Sequence, residues 1–372
     1  MTPRGGSPGQ TRVEIFGRSV EELEQLVLEW CYPAYHGRQL FRWLYQRRVT
    51  DFDRMTDLPR RLRELLWERA TASIPSVARL DGAADGTRKG VLRLRDGEEI
   101  EAVLIPEAKR LTACLSTQAG CGMGCQFCLT ATMGLRRNLT PGEIVGQLLA
   151  LEKTLDTVRQ VTHLVFMGMG EPLANYDHTV AALRILTAPQ GVGFSPRRVT
   201  LSTVGLVPGI RRLSALNLHV NLAVSLTATT DALRNRLMPI NLRYPLHQLM
   251  AACREFVLPP RRRVTFEYVL LADVNDHPAD AKRLVRLLRG IQAKVNLLPL
   301  NEAPAIPFRR PPRERVVAFR QILQEAGYTA TIRESRGLDI SAACGMLVTA
   351  PREAPPGLDS AAMGEAMLPS LR

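Results

Sequence analysis

The stretch Cys121-Gly-Met-Gly-Cys125-Gln-Phe-Cys128 places three cysteines within one short segment of the chain. The whole chain has seven cysteines in 372 residues, so nearly half of them lie here. An odd number of cysteines with three clustered argues against the disulfide framework of a secreted protein and favours metal binding in a reducing compartment. We therefore expect Cys121, Cys125 and Cys128 to be metal ligands.

Three thiolates leave two kinds of metal site open. A structural zinc site usually has four protein ligands, so a zinc module would need a distant fourth ligand. A four-iron cluster held by three cysteines instead leaves one iron free for a small molecule. S-adenosylmethionine can chelate that iron through its amino and carboxylate groups, and an electron from the cluster can then cleave its sulfonium bond to give a radical. The CxxxCxxC spacing, which follows the strand-like run 111–117, favours the second site.

Beyond residue 90, short apolar runs rich in β-branched residues alternate with helical patterns. The runs are residues 161–166, 199–203, 220–226, 264–271 and 295–300. This alternation predicts a parallel sheet with crossover helices, and we expect a partial (β/α) barrel. In such a barrel the chemistry lies on loops at the carboxyl ends of the strands.

Several of these runs end in polar residues or glycine that could hold S-adenosylmethionine. Gly170 and Glu171 follow the first run, and the Glu171 carboxylate could accept the ammonium group of S-adenosylmethionine. Ser202 and Ser225 end the next two, and Asn301 follows the last. Each residue alone is typical of a turn, but together on one rim they predict a site for a polar ligand.

Composition and local patterns divide the chain into four segments. Residues 1–18 and 349–372, rich in Pro, Gly, Ala and Ser, are expected to be disordered tails. Helical patterns, including a Ser19 to Glu22 capping box, predict a small N-terminal helical accessory domain over 19–90, and the barrel would occupy 91–348.

The charge of the chain favours nucleic acid as a partner. Its formal net charge is +13, and residues 36–63 hold eight arginines against three aspartates with interleaved aromatic residues. That segment is either a solvated helix face or an RNA-binding surface. No stretch approaches the roughly 18 apolar residues of a membrane helix, and no signal-peptide core is present at the start, so we expect a cytoplasmic protein without membrane contact.

A set of motifs in the same order resembles the RlmN family of rRNA adenine methyl synthases, whose close relative is Cfr. The motifs are CLSTQAGC (114–121), MGMGEPL (167–173), VTLST (199–203), LAVSL (222–226), MPIN (238–241), FEYVLL (266–271), NLLPLN (296–301) and RGLDISAACG (336–345). The similarity spans residues 19–348 and includes the front segment. It implies a radical SAM barrel behind a helical RNA-binding accessory domain.

The resemblance implies methylation of carbon 2 of an adenosine in 23S rRNA, with an adenosine in tRNA as a further candidate substrate. Carbon 2 is electron-poor, so an electrophilic methyl group cannot react there and a radical is needed. The family's chemistry uses one 4Fe-4S cluster and two equivalents of S-adenosylmethionine per turnover. A monomer that receives electrons from a donor such as flavodoxin or ferredoxin is expected.

The resemblance also assigns roles to three further residues. Cys344 would receive a methyl group, lose a hydrogen from it to the adenosyl radical, and add the resulting carbon to the adenine. Cys114 would release the tethered RNA by forming a disulfide with Cys344. Glu101 would contact the target adenine and handle a proton. From the residues alone, both cysteines could equally be buried structural thiols and Glu101 a solvated strand residue.

One motif departs from the family pattern. Where the family commonly has SLHAPN, this chain has SLTATT at 225–230, so Thr227 replaces a histidine. We expect Ser225, Leu226 and Thr227 still to form a wall of the S-adenosylmethionine site, with altered contacts. Two alternatives to carbon 2 methylation stay open: Cfr-like methylation of carbon 8 of the same adenosine, and a zinc-binding RNA-binding module without catalysis.

Overall fold

The computed structural model describes residues 12–155 and 160–349. The described strands are β1 (Val13–Glu14), β2 (Ala70–Thr71), β3 (Ser76–Gly82), β4 (Arg88–Arg93), β5 (Glu99–Glu107), β6 (Arg110–Cys114), β7 (Gln118–Gly120), β8 (Leu135–Asn138), β9 (His163–Phe166), β10 (Val199–Thr203), β11 (Asn221–Ser225), β12 (Val264–Leu270), β13 (Ala293–Pro299) and β14 (Thr329–Ile332). The described α-helices are α1 (Val20–Glu29), α2 (Tyr35–Phe41), α3 (Arg60–Arg69), α4 (Leu129–Thr132), α5 (Pro141–Glu152), α6 (Tyr176–Thr187), α7 (Val207–Ala215), α8 (Asp231–Leu237), α9 (Leu246–Glu255), α10 (Pro278–Leu287) and α11 (Arg313–Glu325).

A ten-stranded open sheet organises the molecule, with the strand order β14-β13-β12-β11-β10-β9-β6-β5-β4-β3. Strand β6 and strands β9 to β14 run parallel to one another, whereas β3 to β6 form an antiparallel extension. The parallel part is joined by helical crossovers, as expected of a (β/α) architecture. Within the part of the chain that the structure describes, β14 is the last strand of the sheet, and the barrel is open along that edge.

The strands predicted from apolar runs are confirmed. Run 199–203 is β10 itself, and the other four runs overlap β9, β11, β12 and β13 to within three residues at each end. Strand β14 was not predicted, since its four residues Thr-Ala-Thr-Ile carry only a weak alternation. The predicted capping box of Ser19 with Glu22 is present, and a second one, of Thr140 with Glu143, begins α5.

Two predicted segment boundaries are wrong. Residues 12–18 are ordered rather than a tail, because β1 pairs with β2 and the side chains of Ile15 and Phe16 are buried in the main core. Strands β3 and β4 belong to the ten-stranded sheet, so the helical part ends before Ser76 and not at residue 90. Residues 1–11 and 350–372, predicted as tails, lie outside the described residues.

The helical front part is fastened to the sheet part by specific contacts. Arg48 forms an ion pair with Glu152 of α5, and the backbone of Gly17 packs directly on Gly142 at the start of that helix. Arg47 stacks over the ring of Trp43, with 4.0 Å between its guanidinium carbon and the ring centroid. Some arginines of the predicted RNA-binding surface therefore hold the fold together. No described helix is both long and apolar enough to cross a membrane.

Candidate active site

One cavity lies at the carboxyl ends of the parallel strands and contains most of the predicted site residues. Those that line it are Cys121, Cys125, Cys128, Gly170, Glu171, Ser202, Ser225, Asn301 and Cys344. They come from six separate places in the chain, and the parallel register of the sheet brings its strand ends to a common rim. Leu226, Thr227, Cys114 and Glu101 do not line this cavity.

The three clustered cysteines lie on the loop between β7 and α4. The loop is fixed at both ends, since the N–H of Cys121 donates to the carbonyl of Gly134 at 2.8 Å and the N–H of Gln126 donates to the carbonyl of Leu237 at 3.0 Å. Burial raises the pKa of the Cys121 thiol to about 12 and also raises that of Cys125. Buried thiols of this kind become thiolates readily only when a cation is bound beside them.

The number of thiols on this loop bears on the two candidate metals. Cys121, Cys125 and Cys128 line one cavity together, and three cysteines can hold a four-iron cluster while one iron stays open to a small molecule. A structural zinc site would usually need a fourth protein ligand.

Gly170 and Glu171 form the turn that follows β9. Gly170 has a φ of +96°, and a Cβ there would lie 2.5 Å from the side chain of Gln118, so only glycine fits. The buried Glu171 carboxyl accepts the N–H groups of Leu173 at 3.0 Å and Val204 at 2.8 Å. Burial raises its pKa to about 7. Glu171 thus lines the cavity with a carboxyl that backbone groups already orient.

Cys344 lies on a C-terminal segment that covers the cavity from the side of the cysteine loop. The carbonyl of Gly345 accepts the N–H of Leu129 at 2.7 Å, one residue after Cys128. Asn301 holds the same segment through its Nδ2, which donates to the carbonyl of Cys344 at 3.1 Å. The Cys344 side chain is exposed to the cavity, yet its enclosure by protein raises the pKa of the thiol to about 11.

Cys114 ends strand β6 and is buried beside the cavity rather than within it. Burial is the main reason that the pKa of the Cys114 thiol is raised, and the nearby Cys344 raises it further. Both cysteines are free thiols in this structure. The two residues that the sequence predicts to react with each other are therefore brought near each other by β6 and the C-terminal segment.

Glu101 is buried on β5, and both of its carboxylate oxygens are occupied. Oε1 is 3.0 Å from Nζ of Lys89, and Oε2 accepts the N–H of Val348 at 2.8 Å. Burial raises the pKa of Glu101, and the Lys89 ammonium counteracts that rise. Glu101 is thus connected to the Cys344 segment, and not solvated as its alternating strand could suggest.

The structure does not place Leu226 and Thr227 on the cavity wall as expected. Thr227 adopts a φ of +58°, which turns its buried side chain away and leaves its hydroxyl without a hydrogen-bond partner among the described residues. Its carbonyl instead accepts Nδ2 of Asn275 at 2.6 Å. Of this motif, only Ser225 lines the cavity.

Two residues that shape the site, Glu267 and Arg234, were missed by sequence reasoning. Glu267 is buried, lines the cavity and accepts Nδ2 of Asn296 at 2.9 Å. A carboxylate inside an otherwise apolar strand is the signal that could have identified it.

Arg234 is fully buried and binds the ends of two strands, a role that no local pattern indicates. Its guanidinium donates to carbonyls or side-chain oxygens of Val204, Ser225, Leu226 and Asn241 at 2.7–3.2 Å.

Comparisons with known proteins agree with this geometry. The profile of the radical SAM superfamily matches residues 115–285, and that of the ribosomal RNA large subunit methyltransferase N-terminal domain matches residues 13–72. The dual-specificity RNA methyltransferase RlmN of Syntrophus aciditrophicus is 50% identical over 336 residues, which are 90% of this chain and 96% of that protein. Its namesake in Geobacter sulfurreducens is 51% identical over 91% of this chain and 92% of its own length.

A solved structure agrees as well. The crystal structure of a radical SAM methyltransferase from Sphaerobacter thermophilus matches with a TM-score of 0.85 at 47% identity, over 90% of this chain and 99% of that chain. The likeness confirms the fold class predicted from the alternating strands and the cysteine spacing. At this level of identity over nearly the whole length, the chain belongs to the RlmN family of radical SAM RNA methyltransferases.

Proposed function

We propose that this protein methylates carbon 2 of an adenosine in 23S rRNA, and of an adenosine in tRNA, by a radical SAM mechanism. The observation that carries the proposal is the position of Cys344. A thiol on the C-terminal segment faces the same cavity as the three-cysteine loop, in a chain half identical to dual-specificity RNA methyltransferases. A cysteine that only filled a core would not be exposed to that cavity.

The cavity residues divide into two ligand sets. Cys121, Cys125 and Cys128 would hold one 4Fe-4S cluster, and Gly170, Glu171, Ser202, Ser225 and Asn301 would hold S-adenosylmethionine. When bound, the cluster and two equivalents of S-adenosylmethionine per turnover supply a methyl group and a carbon-centred radical.

Cys344 is the proposed carrier of the methyl group. Asn301 holds its backbone carbonyl, and Nδ2 of Asn301 is itself positioned because Oδ1 accepts the Ser335 hydroxyl at 2.5 Å. The carrier sulfur is therefore held at a fixed place on the cavity wall. From there the carried carbon can reach a base that enters the open side of the barrel.

Cys114 is the proposed residue that releases the product. Its thiolate attacks the sulfur of Cys344 and a disulfide forms, while the electron pair of the carbon–sulfur bond leaves with the carbon on the RNA, which takes up a proton and becomes the methyl group. An external reductant then restores both thiols. The burial of Cys114 beside Cys344 supports this role, because a thiol there is protected from other partners.

Glu101 is the proposed group that contacts the adenine and handles its proton. Its two oxygens are engaged by Lys89 and Val348, so the adenine would have to replace the Val348 N–H as a partner. The C-terminal segment would then move as the RNA enters. Lys89 would keep the carboxylate paired throughout.

The front helical part is the proposed RNA-binding accessory domain. Arg42, Arg54 and Arg61 are exposed there and are the arginines best placed to contact phosphates. We expect a cytoplasmic monomer that takes electrons from a donor such as flavodoxin or ferredoxin, since its RNA substrates and these donors share that compartment.

Nucleoside mass spectrometry tests the proposed function. A bacterial host that lacks its own RNA adenosine carbon 2 methyltransferase is transformed with this chain or with its Cys344→Ala variant. We expect 2-methyladenosine at a 23S rRNA position and in tRNA with the wild-type chain and none with the variant. The appearance of 8-methyladenosine alone, or of no methylated adenosine, would overturn the proposal.

A further inference from the structure

The last strands of the sheet have two different faces. On β13 the side chains of Val295 and Leu297 are fully buried, and on β14 Ala330 is buried against α11. The alternate residues of β13 differ, since Lys294 is exposed and Asn296 is half-buried. Alternate residues of a strand point to opposite faces, so the helix-covered face is apolar and the opposite face is open.

The open face continues across β14. The strand register aligns Asn296 with Thr331 on one side and with Glu267 on the other. Thr331 and Arg333 are both exposed, and the backbone N–H of Arg333 donates to the carbonyl of Leu297 at 2.8 Å. Parallel sheets are usually covered on both faces. Here one face at the barrel edge has no covering element among the described residues, so it is available to an outside partner.

The charge of this face is positive. Lys294 and Arg333 form no ion pair within residues 12–155 and 160–349, and both lie close enough to Glu267 to lower the pKa that burial raises. Among the described residues of β12, β13 and β14, Glu267 is the one carboxyl on the open face, and it is buried and hydrogen-bonded to Asn296. The exposed charges on the face are therefore cationic only.

The open face leads into the candidate active site. Glu267 and Leu298, which lie on the same face of the sheet, both line the cavity that contains Cys344. Arg333 is also near enough to Cys344 for its charge to lower the pKa of that thiol. Burial and Glu267 act in the opposite direction and raise the same pKa. A chain lying along the face would thus pass directly beside the proposed methyl carrier.

We propose that the face formed by Lys294, Asn296, Thr331 and Arg333 binds the single-stranded segment of RNA that carries the target adenosine. The proposal rests on the proposed function. Phosphates of that segment would lie on Lys294 and Arg333, with sugar hydroxyls within reach of Asn296 and Thr331. The face carries no aromatic side chain for base stacking, so it would position the strand without reading its sequence.

RNA fits this face better than an acidic electron-donor protein does. An electron donor needs to approach only the cluster, whereas the face leads to the Cys344 side chain. A target base in RNA must leave its stack to be modified, and proteins read such bases from single-stranded, splayed segments. A strip two strands wide, about 10 Å, suits one such segment.

The test compares two double variants in which the same number of charges is removed. Lys294→Ala with Arg333→Ala removes both cations of the face. Lys282→Ala with Arg286→Ala, on the exposed side of α10, is the matched control. The dissociation constant for a hairpin RNA that contains the target adenosine is measured by fluorescence anisotropy at several salt concentrations.

Two lost phosphate contacts to a single strand should lower the slope of log affinity against log salt by about 1.4. The face variant should therefore bind about 25-fold more weakly at 0.1 M salt, and the control should bind like the wild type. Equal loss for a scrambled hairpin is expected, since phosphates carry no sequence information. Wild-type affinity and salt slope in the face variant would overturn the proposal.

A second measurement separates this inference from the proposed function. Methylation of Cys344 by S-adenosylmethionine without RNA is followed by intact-protein mass spectrometry in Lys294→Ala, which keeps Arg333 beside the thiol, and it should proceed as in the wild type. Absence of this methylation in the wild type would count against the proposed function instead. If the face variant slowed reduction of the cluster by flavodoxin but bound RNA normally, the face would be an electron-donor site and the proposal wrong.

Discussion

Oε2 of Glu101 accepts the backbone N–H of Val348 at 2.8 Å, so a buried carboxylate on β5 fastens the segment that carries Cys344. The other oxygen forms a buried ion pair with Lys89. The proposed proton-handling group and the proposed methyl carrier are thereby connected through the backbone of the C-terminal segment. Movement of the C-terminal segment away from β5 would break this hydrogen bond.

The Lys89–Glu101 pair makes a prediction about stability. Glu101→Ala leaves the Lys89 ammonium buried without a partner, so the free energy of unfolding should fall by about 3 kcal/mol. Replacing both, Glu101→Leu with Lys89→Met, should recover most of that loss because no charge is left buried. Urea denaturation under anaerobic, reducing conditions measures both values. Equal destabilisation in the single and double variants would show that the pair is not the cause.

The proximity of Cys114 to Cys344 predicts a trapped intermediate. In Cys114→Ala the carrier can still be loaded and joined to the adenine, but no thiol releases the RNA. That variant, purified from cells, should show a slower band on a denaturing gel that collapses after ribonuclease treatment. The variant without both cysteines should lack the band, because the adduct forms before its release. Clean Cys114→Ala protein would reject the release role.

The three-cysteine loop predicts the fate of the metal. A cluster held by three thiolates cannot lose one and stay intact, so Cys125→Ala should lose its brown colour and most of its iron after anaerobic reconstitution. Cys253→Ala removes a buried cysteine of α9 outside the cavity and should keep both. Iron analysis and absorbance decide the outcome. Full iron content in Cys125→Ala would refute the ligand assignment.

The raised pKa of Cys344 predicts slow alkylation that accelerates with pH. At a pKa of about 11 against an ordinary 9.0, about a hundredfold less thiolate is present near neutrality. A thiolate of higher pKa is more nucleophilic, which offsets part of the loss in thiolate concentration. Iodoacetamide should therefore react with Cys344 about tenfold more slowly than with the cysteine of a model peptide. The rate should rise nearly tenfold per pH unit between pH 8 and 10.

Peptide mass spectrometry of the cluster-free protein, with Cys344→Ser as the control that removes the label, measures this rate. The alkylation rate rises with pH because the thiolate is the reactive form of cysteine. A raised pKa keeps Cys344 protonated, and its alkylation slow, until the pH approaches 11. A rate equal to that of the model peptide and flat with pH would contradict the enclosed position of the sulfur.

Replacing Arg234, which has no proposed catalytic or ligand-binding role, should cause a large loss of stability. Its four hydrogen bonds hold the ends of β10 and β11 together, and Arg234→Ala would leave buried carbonyls without donors. The free energy of unfolding should fall by about 3 kcal/mol or more. Arg236→Ala, at an exposed position two residues away, should change it by less than about 0.5 kcal/mol. Similar values for the two would refute the role.

The sequence by itself determined the elements that depend on local chemistry. The cysteine spacing at 121–128, the capping boxes that begin α1 and α5, and the β-branched runs of the parallel strands each act within a few residues of the chain. Family motifs added Cys344, Cys114 and Glu101 as candidates without saying what they touch. Local patterns of this kind are visible before folding because their causes are local.

Only the tertiary structure decided which of these residues share a site. Thr227 was expected on the cavity wall, but a left-handed backbone and a hydrogen bond from Asn275 turn it into the interior. The pairing of Glu101 with Lys89 depends on the antiparallel register of β4 and β5, which no short window of sequence specifies. The open face at Lys294 lies at the end of the sheet, where β14 is the last strand among the described residues. Each of these features is set by contacts between residues distant in the chain, so packing decides them and local pattern cannot.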